Sequence, residues 1–288
     1  MSMDAALCIS TLDQTPATSE APAAADFALI DLAGTESFLK SLYGAMERNP
    51  IRWNSLLEGT RWQSGWQFGP ILVDLRDGAN FQKTVMNQLA AGGIGVLIET
   101  SLSYDDILAW STNRLFAFAT NDDRLFRFYD SRSLKALLAT LGTHSVSLLP
   151  PEGTLFWHDN QQWISWQSPG EPQLDTANPD WTLPEEELAL LTDYRMAERA
   201  CRLSSLYSDH ITASGDKRVW VLEQLRQARN YGFLKASQQE RFLRLSILSA
   251  GELSSGPQFE ALKESAEMTG DDRLEAMECL VESYHATT

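Results

Sequence analysis

Two hydrophobic patterns divide the chain. In the first half, short apolar runs at 27–32, 71–75 and 95–100 alternate with segments whose apolar residues recur every three or four positions. Such alternation predicts strands separated by helices, in an α/β or α+β lobe with a mixed sheet flanked by helices. Beyond about residue 182 the apolar period is helical throughout, which predicts an all-helical C-terminal lobe.

The amino-acid composition predicts a leader before the first lobe and a linker between the two lobes. Residues 1–25 are rich in Ala, Ser, Thr and Pro without a regular period, which predicts a disordered leader. Residues 169–181 contain three prolines and few apolar residues, which is typical of a linker. The predicted organisation is a leader (1–25), an α/β domain (26–168), a linker (169–181) and a helical domain (182–288).

Charged residues interrupt the apolar pattern at one corner. The alternation over 125–129 predicts a strand, and Asp130 or Ser131 is expected to cap the helix that follows, which Gly142 ends. We interpret Arg127, Asp130 and Arg132 as a structural ion-pair cluster at this corner. An active-site pair is the alternative, but no nucleophile or metal ligand lies nearby in the sequence.

Aromatic residues are concentrated in a glycine-containing loop. Their density indicates either core packing or a surface that binds another protein, since Trp and Tyr are favoured in interfaces. We take the second possibility as a hypothesis for residues in both lobes. The predicted partner-binding residues are Trp53, Trp62, Trp66, Phe68, Trp220 and Tyr231.

The charge and the reactive residues exclude several classes of function. With 39 acidic and 23 basic residues, the net charge is −16, which would repel nucleic acids and anionic membranes. Three cysteines and four histidines lack the spacing of a metal site or a disulfide framework. No signal peptide is recognised, because the first basic residue is Lys40. We therefore expect a cytoplasmic protein without metal or cofactor.

Four short segments of the chain resemble segments of a known family and occur in the same order as in that family. From residue 27 to about 166 the chain is similar to the effector adaptors of bacterial type VI secretion systems, the Tap or TEC adaptors. Members often have Pro after the Tyr-Asp pair of the last segment, where this chain has Ser131. The four segments are Phe27–Asp31, Trp53–Thr60, Gly69–Leu75 and Leu125–Asp130.

The resemblance implies a binding protein and not an enzyme. Such adaptors hold a toxic effector in the cytoplasm and deliver it to the valine–glycine-repeat spike protein of the secretion apparatus. The family segments lie in the first lobe, so we expect that lobe to bind the spike and the helical lobe to bind the effector. Two alternatives stay open: an immunity-type protein that neutralises a basic toxin, and a hydrolase that uses the corner of Arg127 and Asp130 with an Asp-His pair elsewhere in the chain.

Overall fold

The protein forms two compact units. The structure, a computed structural model, describes residues 3–15, 17–35, 37–116, 125–142, 153–167, 185–249, 259, 261–262, 265 and 268–285. One unit, here the sheet unit, spans Gln14–Leu191; the other, the helical unit, combines Met1–Asp13 with Thr192–Thr288. The predicted linker at 169–181 lies outside the described residues.

The sheet unit is built on seven described strands, ordered β1-β7-β6-β5-β2-β4-β3. They are β1 (Thr18–Ser19), β2 (Phe27–Asp31), β3 (Trp53–Ser55), β4 (Pro70–Asp74), β5 (Gly95–Glu99), β6 (Thr154–His158) and β7 (Trp163–Gln167). Its helices are α2 (Phe38–Met46), α3 (Ala79–Ala90), α4 (Tyr104–Leu115) and α5 (Leu134–Leu141), with a 3₁₀-helix at Gln63–Phe68. A sheet with flanking helices, followed along the chain by further helices, confirms the predicted fold class.

Strand direction differs from the expected mixed sheet. Every described strand pair is antiparallel. The helix α3 connects β4 to β5, but β2 lies between these two strands and pairs with both. This is a split β-α-β arrangement, in which the crossover joins strands that are not neighbours. Alternation of strands and helices along the sequence does not reveal such an insertion.

Both faces of the sheet are covered by helices. Alternate side chains of β2 enter different clusters: Phe27 and Leu29 pack with α4 and α5, whereas Ala28 and Ile30 pack with α2 and α3. All five residues of β2 are buried, as expected for a central strand with two covered faces. The sheet unit is therefore a three-layer structure with a core on each side of the sheet.

The predicted strand over residues 125–129 is wrong. Its backbone bonds are those of successive turns: Phe128 N donates to Phe126 O, and Asp130 N donates to Arg127 O. Phe126 N donates to the carbonyl of Leu115, at the end of α4. Phe126, Phe128 and Tyr129 are nevertheless buried. The alternation of apolar residues here reflects packing under α4 and α5, without a neighbouring strand to pair with.

The predicted disordered leader is also wrong for the described part of residues 1–25. Residues Ala5–Gln14 form a helix, α1, and residues 18–19 form β1. Helix α1 buries Ala5, Cys8, Ile9 and Leu12, which have the spacing of one helix face. Burial of this face against the helical unit stabilises a segment whose composition alone resembles that of a disordered tail.

The helical unit combines α1 with helices from the end of the chain. These are α6 (Glu185–Leu206), of which the part from Thr192 belongs to this unit, α7 (Lys217–Asn230), α8 (Ala236–Leu248) and α9 (Gly270–His285). Phe233, Phe242 and Met277 are central to the core among α7, α8 and α9. Within the described ranges, no helix has the length and apolar character needed to cross a membrane.

Candidate partner-binding site

Three strand ends meet at one end of the sheet. The antiparallel register pairs Asp31, the last residue of β2, with Pro70, the first residue of β4. In β3, Ser55 pairs with Ile71, and the N–H of the next residue, Leu56, donates to Pro70 O at 3.0 Å. Strand pairing alone thus brings together three of the four segments that carry the family resemblance.

An ion pair adds the fourth segment. The Arg127 guanidinium contacts the Asp31 carboxylate at Oδ2, and Gly34 N donates to Oδ1 at 3.2 Å. Only 3% of the Asp31 side chain is exposed, against 42% of Arg127. A buried carboxylate is costly unless it is paired and hydrogen-bonded. The pair therefore fixes the segment around Arg127 to the end of β2.

The three residues of the predicted corner lie together. Arg132 contacts Asp130 through two hydrogen bonds, Nε to Oδ1 at 2.9 Å and Nη2 to Oδ2 at 2.7 Å, whereas Arg127 Nη2 lies 3.8 Å from Asp130 Oδ2. Burial alone would raise the pKa of Asp130, but the hydrogen bonds and charge of Arg132, with the charge of Arg127, hold it below its ordinary value.

The sequence predicts that Asp130 or Ser131 caps helix α5, and this prediction is wrong. The residue at the N-cap position is Ser133, without a side-chain cap bond. Asp130 Oδ1 instead accepts from the backbone N–H of Arg132 at 3.1 Å, and Asp130 O accepts from Ser133 N. Asp130 therefore stabilises the turn before the helix. At the other end, Gly142 ends the helix with φ of +51°, as expected.

Hydrogen bonds within the loop after β3 fix its conformation. Gly59 has φ of +72°, which favours glycine, and its N–H donates to Gln63 Oε1 at 3.1 Å. The Thr60 hydroxyl donates to Leu57 O at 2.7 Å and accepts from Trp62 N at 3.2 Å. These bonds position Trp62 at the start of the 3₁₀-helix, beside the strand ends.

A pocket of about 230 Å³ opens where these elements meet. Asp31 and Arg127 contribute its charged groups, and the other walls are largely apolar. Burial, with the charge of Asp31, raises the pKa of Tyr129, and the charge of Arg127 offsets this only in part. The pocket is lined by Asp31, Ala33, Leu57, Trp62, Gly65, Phe68, Gly69, Pro70, Leu125, Arg127 and Tyr129.

Four of the predicted partner-binding residues lie in this region. Trp62 and Phe68 line the pocket, and Phe68 is 75% exposed. Trp53 and Trp66 are half-buried and pack against each other, with ring centroids 5.7 Å apart and ring planes tilted by 37°. Both pack against the core between the sheet, α2 and α3. Trp53 and Trp66 thus connect the site to the core of the sheet unit. Phe68 is the most exposed aromatic residue of the site.

The remaining two predicted residues lie in the helical unit. Trp220, on α7, is half-buried. Tyr231 follows α7 and packs against Phe242, with ring centroids 5.7 Å apart, and its hydroxyl accepts from Gln227 Nε2 at 2.8 Å. The contacts of Tyr231 are those of a core residue at the edge of its cluster.

Sequence reasoning missed the residue at the centre of the site. Asp31 is a single acidic residue at the end of an apolar strand, and its partner Arg127 is 96 positions away. A buried strand that ends in an unexplained carboxylate was the available signal. The apolar wall residues Leu57 and Leu125 carried no signal that distinguishes them from core residues.

The arrangement is suited to binding. Asp31 and Asp130 are both held by arginines. Among the described residues, no group of three or more His, Cys, Asp and Glu side chains could hold a metal ion. The site offers a small apolar pocket, an ion pair at its base and an exposed phenylalanine at its edge, which are features of a protein–protein contact.

Comparison with known proteins identifies the region around this pocket. Residues 27–147 match the family model described as "Domain of unknown function (DUF4123)". This match includes every residue that lines the pocket. No curated protein and no solved structure matches the chain.

Proposed function

We propose that this protein is a type VI secretion adaptor, which binds a toxic effector in the cytoplasm and loads it onto the valine–glycine-repeat spike protein. One observation carries the proposal. The four ordered segments that resemble Tap or TEC adaptors meet around a single pocket with an exposed aromatic edge. The DUF4123 match covers the same part of the chain. Segments that form one binding site are expected to meet around one pocket in this way.

The proposal assigns a different partner to each unit. The sheet unit contains the family segments and binds the spike. The helical unit binds the effector, and its exposed leucines, Leu206, Leu234 and Leu248, are apolar contacts available to a partner. The net charge of −16 favours a cargo segment of positive charge and accelerates its association, so that the association rate falls as salt is added.

The test uses the full-length chain. Residues 182–288 expressed alone would lack α1, which belongs to the helical unit. The probes are the toxin and the spike protein encoded beside this chain's gene, measured by co-purification and calorimetry. Two matched substitutions change one exposed residue in each unit: Phe68→Ser (75% exposed) and Leu234→Ser (74% exposed).

We expect Phe68→Ser to weaken spike binding at least about tenfold and to leave effector binding unchanged. The expected effect of Leu234→Ser is the reverse. If Phe68→Ser weakens effector binding alone, the assignment of partners is wrong. If the wild-type chain binds neither protein, the adaptor proposal fails. Binding and neutralisation of the toxin without spike binding would favour the immunity alternative.

A further inference from the structure

The size of the pocket limits what it can hold. Pockets for drug-sized ligands and cofactors commonly have volumes of about 300–1,000 Å³. The pocket beside Asp31, with about 230 Å³, lies below this range. It is partly open, with Phe68 exposed among its lining residues. A pocket of this size is suited to a single large side chain that enters from another protein.

The charges at the pocket are balanced. Asp31 and Asp130 face Arg127 and Arg132, and both carboxylates are engaged by these guanidinium groups. A charged side chain entering the pocket would lose water without finding an unpaired opposite charge. Apolar walls and balanced charge therefore favour an uncharged, apolar occupant.

One wall residue of the pocket, Trp62, carries an indole N–H group that can report a change in the pocket. Trp62 lines the pocket, and its indole Nε1–H is shielded from solvent, with no acceptor among the described residues. Thr60 and Gly59 fix the loop in which Trp62 lies, so that this donor is held in place.

We propose that the pocket receives one large apolar side chain, such as Leu, Met, Phe or Trp, from a partner protein, and that this side chain packs against the ring of Trp62. The proposal rests on the proposed function, under which the partner is the spike. The anchor side chain fills the apolar walls, and Phe68 covers it from the edge. Buried anchors of this kind dominate the binding energy of many interfaces.

The first experiment needs no partner protein. The wild-type chain, labelled with ¹⁵N, is titrated with N-acetyl-tryptophanamide, N-acetyl-leucinamide and, as charged controls, N-acetyl-lysinamide and N-acetyl-glutamamide. We expect the two apolar probes to shift the indole N–H resonance of Trp62, with a Kd on the order of 1 mM. Trp110 and Trp166 serve as internal controls, because their indole N–H groups also lack acceptors in the described structure but do not line the pocket.

A pocket-filling variant tests the partner. The Cβ of a residue at position 65 would meet no atom within 4 Å, so Gly65→Leu adds a side chain at the pocket without a collision at its Cβ. Gly44→Leu is the matched control, because Gly44 has equally open space but lies on α2 and does not line the pocket. We expect Gly65→Leu to abolish the Trp62 shift and to weaken spike binding at least tenfold, and Gly44→Leu to do neither.

The outcomes separate this inference from the proposed function. If the spike binds the wild type and Gly65→Leu equally well, the pocket is not its docking site, although the adaptor function stands. If apolar probes shift Trp62 but the spike does not bind the wild type, the pocket accepts apolar side chains and the proposed partner is wrong. If neither apolar probe shifts Trp62, or the charged probes shift it as strongly, the inference about the pocket is overturned.

Discussion

The helix at the start of the chain leads to a direct test with cysteine chemistry. Cys8 lies on the buried face of α1 and is fully buried, whereas Cys279 is exposed. Burial raises the pKa of the Cys8 thiol to about 11; the charge of Arg226 offsets this only in part. In a disordered leader, the same thiol would have an ordinary pKa and free access to solvent. We therefore predict that Cys8 reacts much more slowly than Cys279 in the native protein.

The magnitude follows from the reactive species, which is the thiolate. At pH 8 a thiol with a pKa of about 8.5 is about one-quarter ionised. With a pKa of about 11, about one Cys8 side chain in a thousand is ionised, which is a reduction of roughly 200-fold. A more basic thiolate is also a stronger nucleophile, and this raises the reaction rate of the ionised Cys8 by about tenfold to twentyfold. Ionisation alone thus slows Cys8 about 15-fold, and its burial slows it further.

The assay compares two single-cysteine proteins. One keeps Cys8 (Cys201→Ser with Cys279→Ser) and the other keeps Cys279 (Cys8→Ser with Cys201→Ser). Each reacts with iodoacetamide at pH 8 and is followed by mass spectrometry, natively and in urea. The two rates should differ at least about 15-fold natively and converge in urea. Equal native rates would refute the packing of α1.

A matched pair of substitutions on α1 locates the cause of the protection. Ile9 is 2% exposed and Leu7 is 57% exposed, and both flank Cys8. Ile9→Asp places a charge on the buried face and should release α1, so that Cys8 reacts nearly as fast as it does in urea. Leu7→Asp places the same charge in solvent and should leave Cys8 protected. Similar rates in the two variants would contradict the assigned orientation of the helix.

Two further predictions concern the ion pairs of the site. Asp31→Asn should lower the free energy of unfolding, measured with urea, by about 1–3 kcal/mol, because it removes the charge of a buried partner of Arg127. The control is Asp105→Asn, which removes the ion pair of Asp105 with Arg52. Since 73% of the Asp105 side chain is exposed, this change should lower the free energy of unfolding by only about 0–1 kcal/mol. Asp130 has a lowered pKa, so its contribution to stability is complete above about pH 4 and is lost as the pH falls through its native value. The difference in stability between wild type and Asp130→Asn should therefore be constant from pH 7 to about pH 5 and shrink toward pH 3, and a difference that persists at low pH would contradict the ion pair.

Apolar periodicity was sufficient to predict much of the architecture. The runs around Leu29, Leu72 and Leu97 are strands, and the helical period in the last third of the chain corresponds to helices α6 to α9. Strand order was not available from this pattern, because the position of β2 between β4 and β5 depends on contacts distant in sequence.

The errors have physical causes of two kinds. Helix α1 was missed because its Ala, Ser and Thr content suggested disorder, although Ala5, Cys8, Ile9 and Leu12 have helical spacing. Alternation predicts a strand around Phe126, but alternation does not reveal whether a partner strand exists. Asp31 was overlooked because a side chain becomes part of a site only through a partner that folding brings near.

The placement of α1 affects the order in which the protein can fold during its synthesis. Helix α1 leaves the ribosome well before α6 and α7. Met3, just before the helix, bonds Asp193 on α6, and Asp13 of the helix pairs with Arg218 on α7, so both contacts require residues made much later. Roughly 170 residues separate α1 from α6, which corresponds to about 10–35 s of translation at 5–20 residues per second. During this time the sheet unit can form behind an unpacked apolar helix. A nascent chain of this protein therefore presents a hydrophobic segment to chaperones until α6 and α7 emerge.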